Sequence, residues 1–182
     1  MGNLHPLPSA SSGNVRKAGF ALGQSGTVRV DFAEGILKDA RIRYREYRCN
    51  SPLPIWLTYG NQLMSSYRAL SRFATVDPHY VGWHAHHIVE AQDLERLGVA
   101  GKFPPYHDQL TVLLPQSAHI KRVNSVLRNQ APMGAVMSTP DLLATYAAAY
   151  ALMGNYCGGG EQRIQSELMA IARAIFRRAG LM

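Results

Sequence analysis

Six of the chain's seven histidines fall between His79 and His119, and that concentration limits what the surrounding sequence can build. Imidazole is the commonest protein ligand for transition metals and the usual base near neutral pH, so a cluster of imidazoles is read first as chemistry. The dense string is W-H-A-H-H-I-V-E at Trp83–Glu90, and P-Q-S-A-H at Pro115–His119 closes the cluster. Between them lies the apolar run Leu110–Leu114. The aromatic and β-branched segment over 80–90 predicts one strand and the apolar run a second. Ser117 or a neighbour caps a helix that continues to about Arg128. For distant imidazoles to meet, the strands have to pair and the helix has to hang from the second. Adjacent strand residues point to opposite faces, so His86 and His87 serve one centre only where the strand ends or twists.

Around this block the pattern reads mostly helical. Thr27–Phe32 alternates as a short strand would. From Gly35 to Arg48 a helix places Ile36, Ala40, Tyr44 and Tyr47 on one face and Lys38, Arg41, Arg45 and Arg48 on another, with a strand as the rival because RIRYR also alternates. Pro52 and Pro54 break the chain. Trp56, Leu63, Tyr67, Leu70 and Phe73 then predict a helix from about Ile55 to Ala74, ended by Asp77-Pro78. Ala91–Val99 reads as a short helix or turn. Thr139-Pro140-Asp141 offers a capping hydroxyl, a proline at the first helical position and an acid in the first turn of the next helix. After the Gly158–Gly160 run, Ile164, Leu168, Ile171 and Ile175 mark the last helix, where Arg173, Arg177 and Arg178 complement its C-terminal dipole before Gly180. The expected fold class is therefore α+β: residues 1–26 a Pro/Ser/Gly-rich flexible leader, and residues 27–182 one mostly helical domain with a strand–loop–strand–helix insert at about 80–129.

The formal net charge of +7 favours a polyanionic partner, nucleic acid or an anionic membrane surface. Cys49 and Cys157 lack C-x-x-C spacing, which excludes a cysteine-based zinc module and favours free thiols over a bridge. No apolar stretch approaches 18 residues and no basic-then-apolar signal design opens the chain. A soluble, cytoplasmically synthesised protein is the expectation.

A-H-H-I followed by L-P-x-S-x-H resembles the AHH branch of the HNH/endonuclease VII nucleases, many of them toxin modules of bacterial effector systems. The likeness covers roughly residues 80–129. It implies a ββα-metal finger hydrolysing phosphodiester bonds, DNA as the first expectation and RNA the second. It also implies one divalent ion (Zn, Ni, Mn or Mg), signal-peptide-independent export, and an acidic inhibitor protein as partner. Residue by residue, His86 and His119 match the metal ligands and His87 the general base. Two positions depart from the pattern. Leu110 stands where the family has an asparagine bracing the loop of the base, with Asp108 and Gln109 close by. Val123 stands where related nucleases carry another ligand, and Asn124 beside it lies about 140° round an α-helix from His119. His84 and His107 are the reserve ligands, and Glu90 could orient an imidazole from behind. Lys121, Arg122 and Arg128 beside the helix histidine, and Arg41 and Arg45 of the earlier stripe, are the candidate phosphate contacts. Trp56, Tyr67, Phe73 and Tyr146 read as core aromatics. The rival classes are a catalytically inactive nucleic-acid-binding or adaptor domain, and a metal hydrolase of another substrate.

Overall fold

Two prolines and a run of large apolar residues at 52–66 decide the centre of the molecule, because they form a hairpin. In a computed structural model that describes residues 24–132, 134–151, 153 and 161–182, Trp56–Thr58 (β2) and Leu63–Ser66 (β3) pair antiparallel. Tyr44–Glu46 (β1) adds to one side, while Leu110–Pro115 (β5) and Trp83–His87 (β4) add to the other. The result is a five-stranded antiparallel sheet in the order β1-β2-β3-β5-β4. Six helices complete the α+β fold among the described residues: Gln24–Asp39 (α1), Tyr67–Val76 (α2), Ala91–Arg96 (α3), a π-helical turn Ser117–Asn124 continued by Ser125–Gln130 (α4), Thr139–Tyr150 (α5) and Glu161–Ala179 (α6). None of them is long and apolar enough to cross a membrane.

The strand period sorts side chains into two layers. Trp56, Met64, Leu110, Val112 and Leu114 join α1, α4, α5 and α6 in the larger core. Ile55, Leu57, Leu63 and Leu113 pack with Leu70 and Phe73 of α2 in the smaller one. Because both faces of β2 and β3 are covered, their sequence is a continuous apolar run, and a helical spacing can be picked out of it by chance. The helix expected from Ile55 to Ala74 is therefore a hairpin followed by α2, whose cap is Ser66 accepting from Ala69 N.

Two further expectations are corrected. Thr27–Phe32 is helical, inside α1. The helix expected over Gly35–Arg48 ends at Asp39, where Ile42 N bonds Leu37 O and Arg41 N bonds Lys38 O, with Arg41 in the left-handed region at φ 56°. The same two-bond ending closes α3 at Gly98 and α6 at Gly180, with φ 70° and 76°. Glycine takes that conformation freely; Arg41 takes it at a steric cost. Beyond it the chain is the strand that was the rival reading, so Lys38, Arg41, Arg45 and Arg48 form no helical stripe. The strand–loop–strand–helix order over 83–130, α3, α5 and the last helix lie close to expectation. The leader expected over residues 1–26 lies outside the described residues up to residue 23, with α1 beginning at Gln24. Cys157 and the glycine run lie outside them too.

Glu167 of α6 fastens the β2–β3 turn, accepting from Thr58 Oγ1 at 2.6 Å and Gly60 N at 2.9 Å. A Cβ at position 60 would run into that carboxylate and push the Glu167 side chain off these bonds. Burial outweighs both bonds and raises the Glu167 pKa, so the native state holds its proton more tightly than the unfolded chain does. Glu167→Ala is expected to lower unfolding free energy by about 1–3 kcal/mol. The difference from wild type should be largest in acid, below the unfolded pKa, and shrink as pH rises through the raised folded value. Urea titrations at several pH values check both the size and the slope.

Candidate functional site

β4 and β5 pair with His84 opposite Leu114, His86 opposite Val112 and His87 opposite Thr111. Side chains two apart share a face, so His84 and His86 point into the layer holding α4 and α5. Pro115 ends β5 and the chain turns at once into α4, which brings His119 over that face. The ring of His119 lies 5.1 Å from that of His86 and 5.2 Å from that of His84, centroid to centroid. The Nδ1 atoms of His84 and His119 are 3.0 Å apart.

His86 is enclosed, at 1% exposure. Its Nε2 stands 3.2 Å from the hydroxyl of Tyr150, and that hydroxyl lies 2.6 Å from Ile88 O. Its Nδ1 has no hydrogen-bond partner and faces Glu90 Oε1 at 3.4 Å. Desolvation, with His119 and His87 adding to it, drives the pKa of His86 far below the ordinary histidine value. Burial and then His84 lower that of His119 to about 4. Burial and then Asp93 push the Glu90 carboxyl up to about 7. Behind these groups Tyr146 donates to Asp93 Oδ2 at 2.5 Å and accepts from Glu90 N at 2.8 Å, while Arg96 pairs with the other Asp93 oxygen at 3.2 Å.

His87 points the other way. Its ring stacks on Tyr67 at 5.0 Å and 13°, and Tyr106 leans on it at 4.1 Å. Its Nε2 donates to Tyr106 O at 3.0 Å, which leaves the lone pair on Nδ1. Burial lowers its pKa against the opposing pull of that carbonyl. Tyr106 belongs to the 104–109 loop, which Gln109 ties by donating from Nε2 to Pro104 O at 3.1 Å. Leu110 is buried at the start of β5 and takes no part in this tie; buried Asp108 pairs with Arg68 at 3.7 Å.

The fit to a metal ion is a matter of donor chemistry. Among the described residues no group of three or more His, Cys, Asp or Glu side chains is placed to hold an ion as it stands. The donors come instead as two close pairs, His84 with His119 and His86 with Glu90. Two imidazole nitrogens sharing one zinc in a tetrahedron stand about 3.3 Å apart, near the spacing of the first pair. In the second, a buried imidazole nitrogen without a hydrogen-bond partner faces a carboxyl oxygen at 3.4 Å. His84 thus sits nearer the centre than a reserve ligand would, whereas His107 is exposed on the Tyr67 side of the sheet.

Asn124 closes the π-helical turn. A helix bonded i to i+5 turns less per residue than an α-helix, which swings position i+5 back toward the face of residue i. The α-helical angle that separated Asn124 from His119 therefore does not apply. Of the basic candidates, Lys121, Arg128, Arg41 and Arg45 are exposed. Arg122 is half-buried and donates to Ala148 O at 2.8 Å and Ala151 O at 3.1 Å, closing the C-terminal end of α5. Tyr67, read as core, is the stacking partner of His87. Tyr106 and Tyr150 were not singled out from sequence. Tyr146 and Tyr150 lie four apart around the alanine run of α5, and that spacing of two hydroxyls on one buried face is the signal for them.

Comparison with protein-family models, curated proteins and solved structures finds no match.

Arg122→Ala is expected to destabilise the fold by about 1–3 kcal/mol through the two freed carbonyls. Lys121→Ala and Arg128→Ala should stay within about 0.5 kcal/mol of wild type. Thermal unfolding of the three variants separates the structural arginine from the free surface charges.

Proposed function

We propose that this chain is a metal-dependent endonuclease cutting the backbone of DNA, or secondarily RNA, with little sequence preference. The observation that carries the reading is the meeting of His86 and His119 at 5.1 Å, with the buried Nδ1 of His86 offered as a lone pair. The order β4, β5, α4 around that meeting supports a ββα-metal finger. His86 and His119 would hold the divalent ion, with His84 and Glu90 beside them; this nitrogen and oxygen set suits Zn, Ni or Mn and admits Mg. Bound there, the ion would supply charge stabilisation to the phosphorane and the departing 3′ oxygen.

The chain's own work falls to His87. It directly follows a proposed ligand at the last residue of β4, its ring on the opposite face of the strand from those of His84 and His86. The Tyr106 carbonyl fixes its proton on Nε2, and its lowered pKa keeps Nδ1 free to take a proton from water at neutral pH. Exposed Lys121 and Arg128 on α4 would hold phosphates, and backbone contacts of that kind read no sequence. A chain of this charge released as a toxin would need an acidic inhibitor in its producer.

One observation favours the second reading, a nucleic-acid-binding domain without cleavage: His87 is 2% exposed beneath Tyr67 and Tyr106. Plasmid incubated with the purified chain and Zn, Ni, Mn or Mg in turn distinguishes the two. Nicking is expected, with His87→Ala reducing the rate by about 10²–10⁴-fold while gel-shift affinity is retained. Binding should fall steeply as salt is raised. Shifted plasmid left intact under every metal establishes the binding domain instead, and plasmid neither shifted nor cut sinks both.

A further inference from the structure

The hydroxyl of Tyr150, at the last residue of α5, has a single proton and lies between two groups. Ile88 O is at 2.6 Å and His86 Nε2 at 3.2 Å. The shorter contact is to a carbonyl, which can only accept, so the proton is committed there. What the hydroxyl turns toward the ring is a lone pair, and the ring must donate to it from Nε2. Tyr150 is fully buried and His86 nearly so, which leaves the ring no solvent partner on that side.

The opposite nitrogen follows from this. A neutral imidazole with its proton on Nε2 carries a lone pair on Nδ1, and Nδ1 is the buried atom without a partner that faces Glu90 Oε1 at 3.4 Å. An ionised Glu90 would choose otherwise, because a carboxylate at that distance favours a proton on Nδ1 as its donor. Tyr150 and Glu90 therefore pull the tautomer in opposite directions, and the 2.6 Å anchor to Ile88 O decides between them.

We propose that Tyr150 is a positioning residue that locks His86 in the Nε2–H tautomer and so keeps Nδ1 as an acceptor for a cation. The tautomer stands on its own geometry, while its purpose rests on the metal reading above. Tyr146 supports the lock at a distance. Its hydroxyl accepts from Glu90 N and donates to Asp93, which fixes the backbone where β4 runs into α3.

Nitrogen-15 NMR of the imidazoles reports the tautomer directly in the metal-free chain. The wild-type spectrum should show His86 protonated on Nε2, and Tyr150→Phe should move it toward the Nδ1–H form that Glu90 prefers. Zinc titration calorimetry should then find about 10–100-fold weaker binding to the variant, the usual loss when a partner behind a ligand is removed. A wild-type His86 protonated on Nδ1 overturns the lock, with no variant needed should Tyr150→Phe fail to fold. An unmoved tautomer in a folded Tyr150→Phe chain also overturns it. A wild-type chain in the Nε2–H form that binds no zinc upholds the lock and overturns the metal reading.

Discussion

The pairing of β4 with β5 is the constraint on which the candidate site depends, because it decides which imidazoles share a face and where the helix after them must start. The register is held by the two apolar layers as much as by backbone hydrogen bonds. Val112 and Leu114 belong to the larger core and Leu113 to the smaller, so a slip of one residue would exchange the layers of β5 and expose both. The same slip would send His84 and His86 to the α2 side and His87 to the α5 side. Ordinary core packing thus fixes the polar geometry, and no special contact between the histidines is needed to bring them together.

What the histidines meet is also a consequence of burial. The chain carries a formal charge of +7, yet the groups around His86 are imidazoles whose pKa burial lowers and carboxyls and tyrosines whose pKa burial raises. Burial disfavours charge on each of these groups and holds the imidazoles neutral, each with a free lone pair. Arg96, the nearest buried positive charge, is spent on Asp93 and on carbonyls at 131 and 132, one layer behind. The basic surface and the buried centre are distinct features. On the proposed reading the first would draw a polyanion to the molecule and the second would hold the charge that hydrolysis of such a chain needs.

Where the sequence was legible, a residue type could do one local thing only. Gly180 ends a helix because a left-handed residue is needed, Pro115 ends a strand, and Pro140 with Asp141 opens a helix. Even there the details moved by one place: Ser138, not Thr139, accepts from Asp141 N. The illegible parts had two readings of equal local merit. Arg41 performs a glycine's task at the end of α1, and nothing in its side chain announces that. Trp56, Leu63, Tyr67 and Leu70 fit a helical spacing, but two buried strand faces with a helix after them also produce it. For the site, the three histidines named first lie where strand and helix patterns put them. His84, Tyr106 and Tyr150 were under-read because their roles come from partners 35, 19 and 62 residues distant, which a local pattern does not contain.

The π-helical turn ties these strands of argument together. Eight residues of wide helix are unusual, and such turns collect at functional sites because a poorer hydrogen-bond geometry has to be offset by something else. Here the offset is visible. Ala118 and Val123 are fully buried on the inner side of the turn, and Arg122 reaches across to close the end of α5. That closure holds α5 against α4 at the level of Tyr150, the residue facing His86, while the widened turn carries His119 toward the same ring. A regular α-helix started from Pro115 would set Ala118 and Val123, and likewise His119 and Asn124, about 140° apart, whereas the wider turn brings each pair nearer one face. The wide turn serves both, so the coupling between α4 and α5 is part of the site's construction as well as its support.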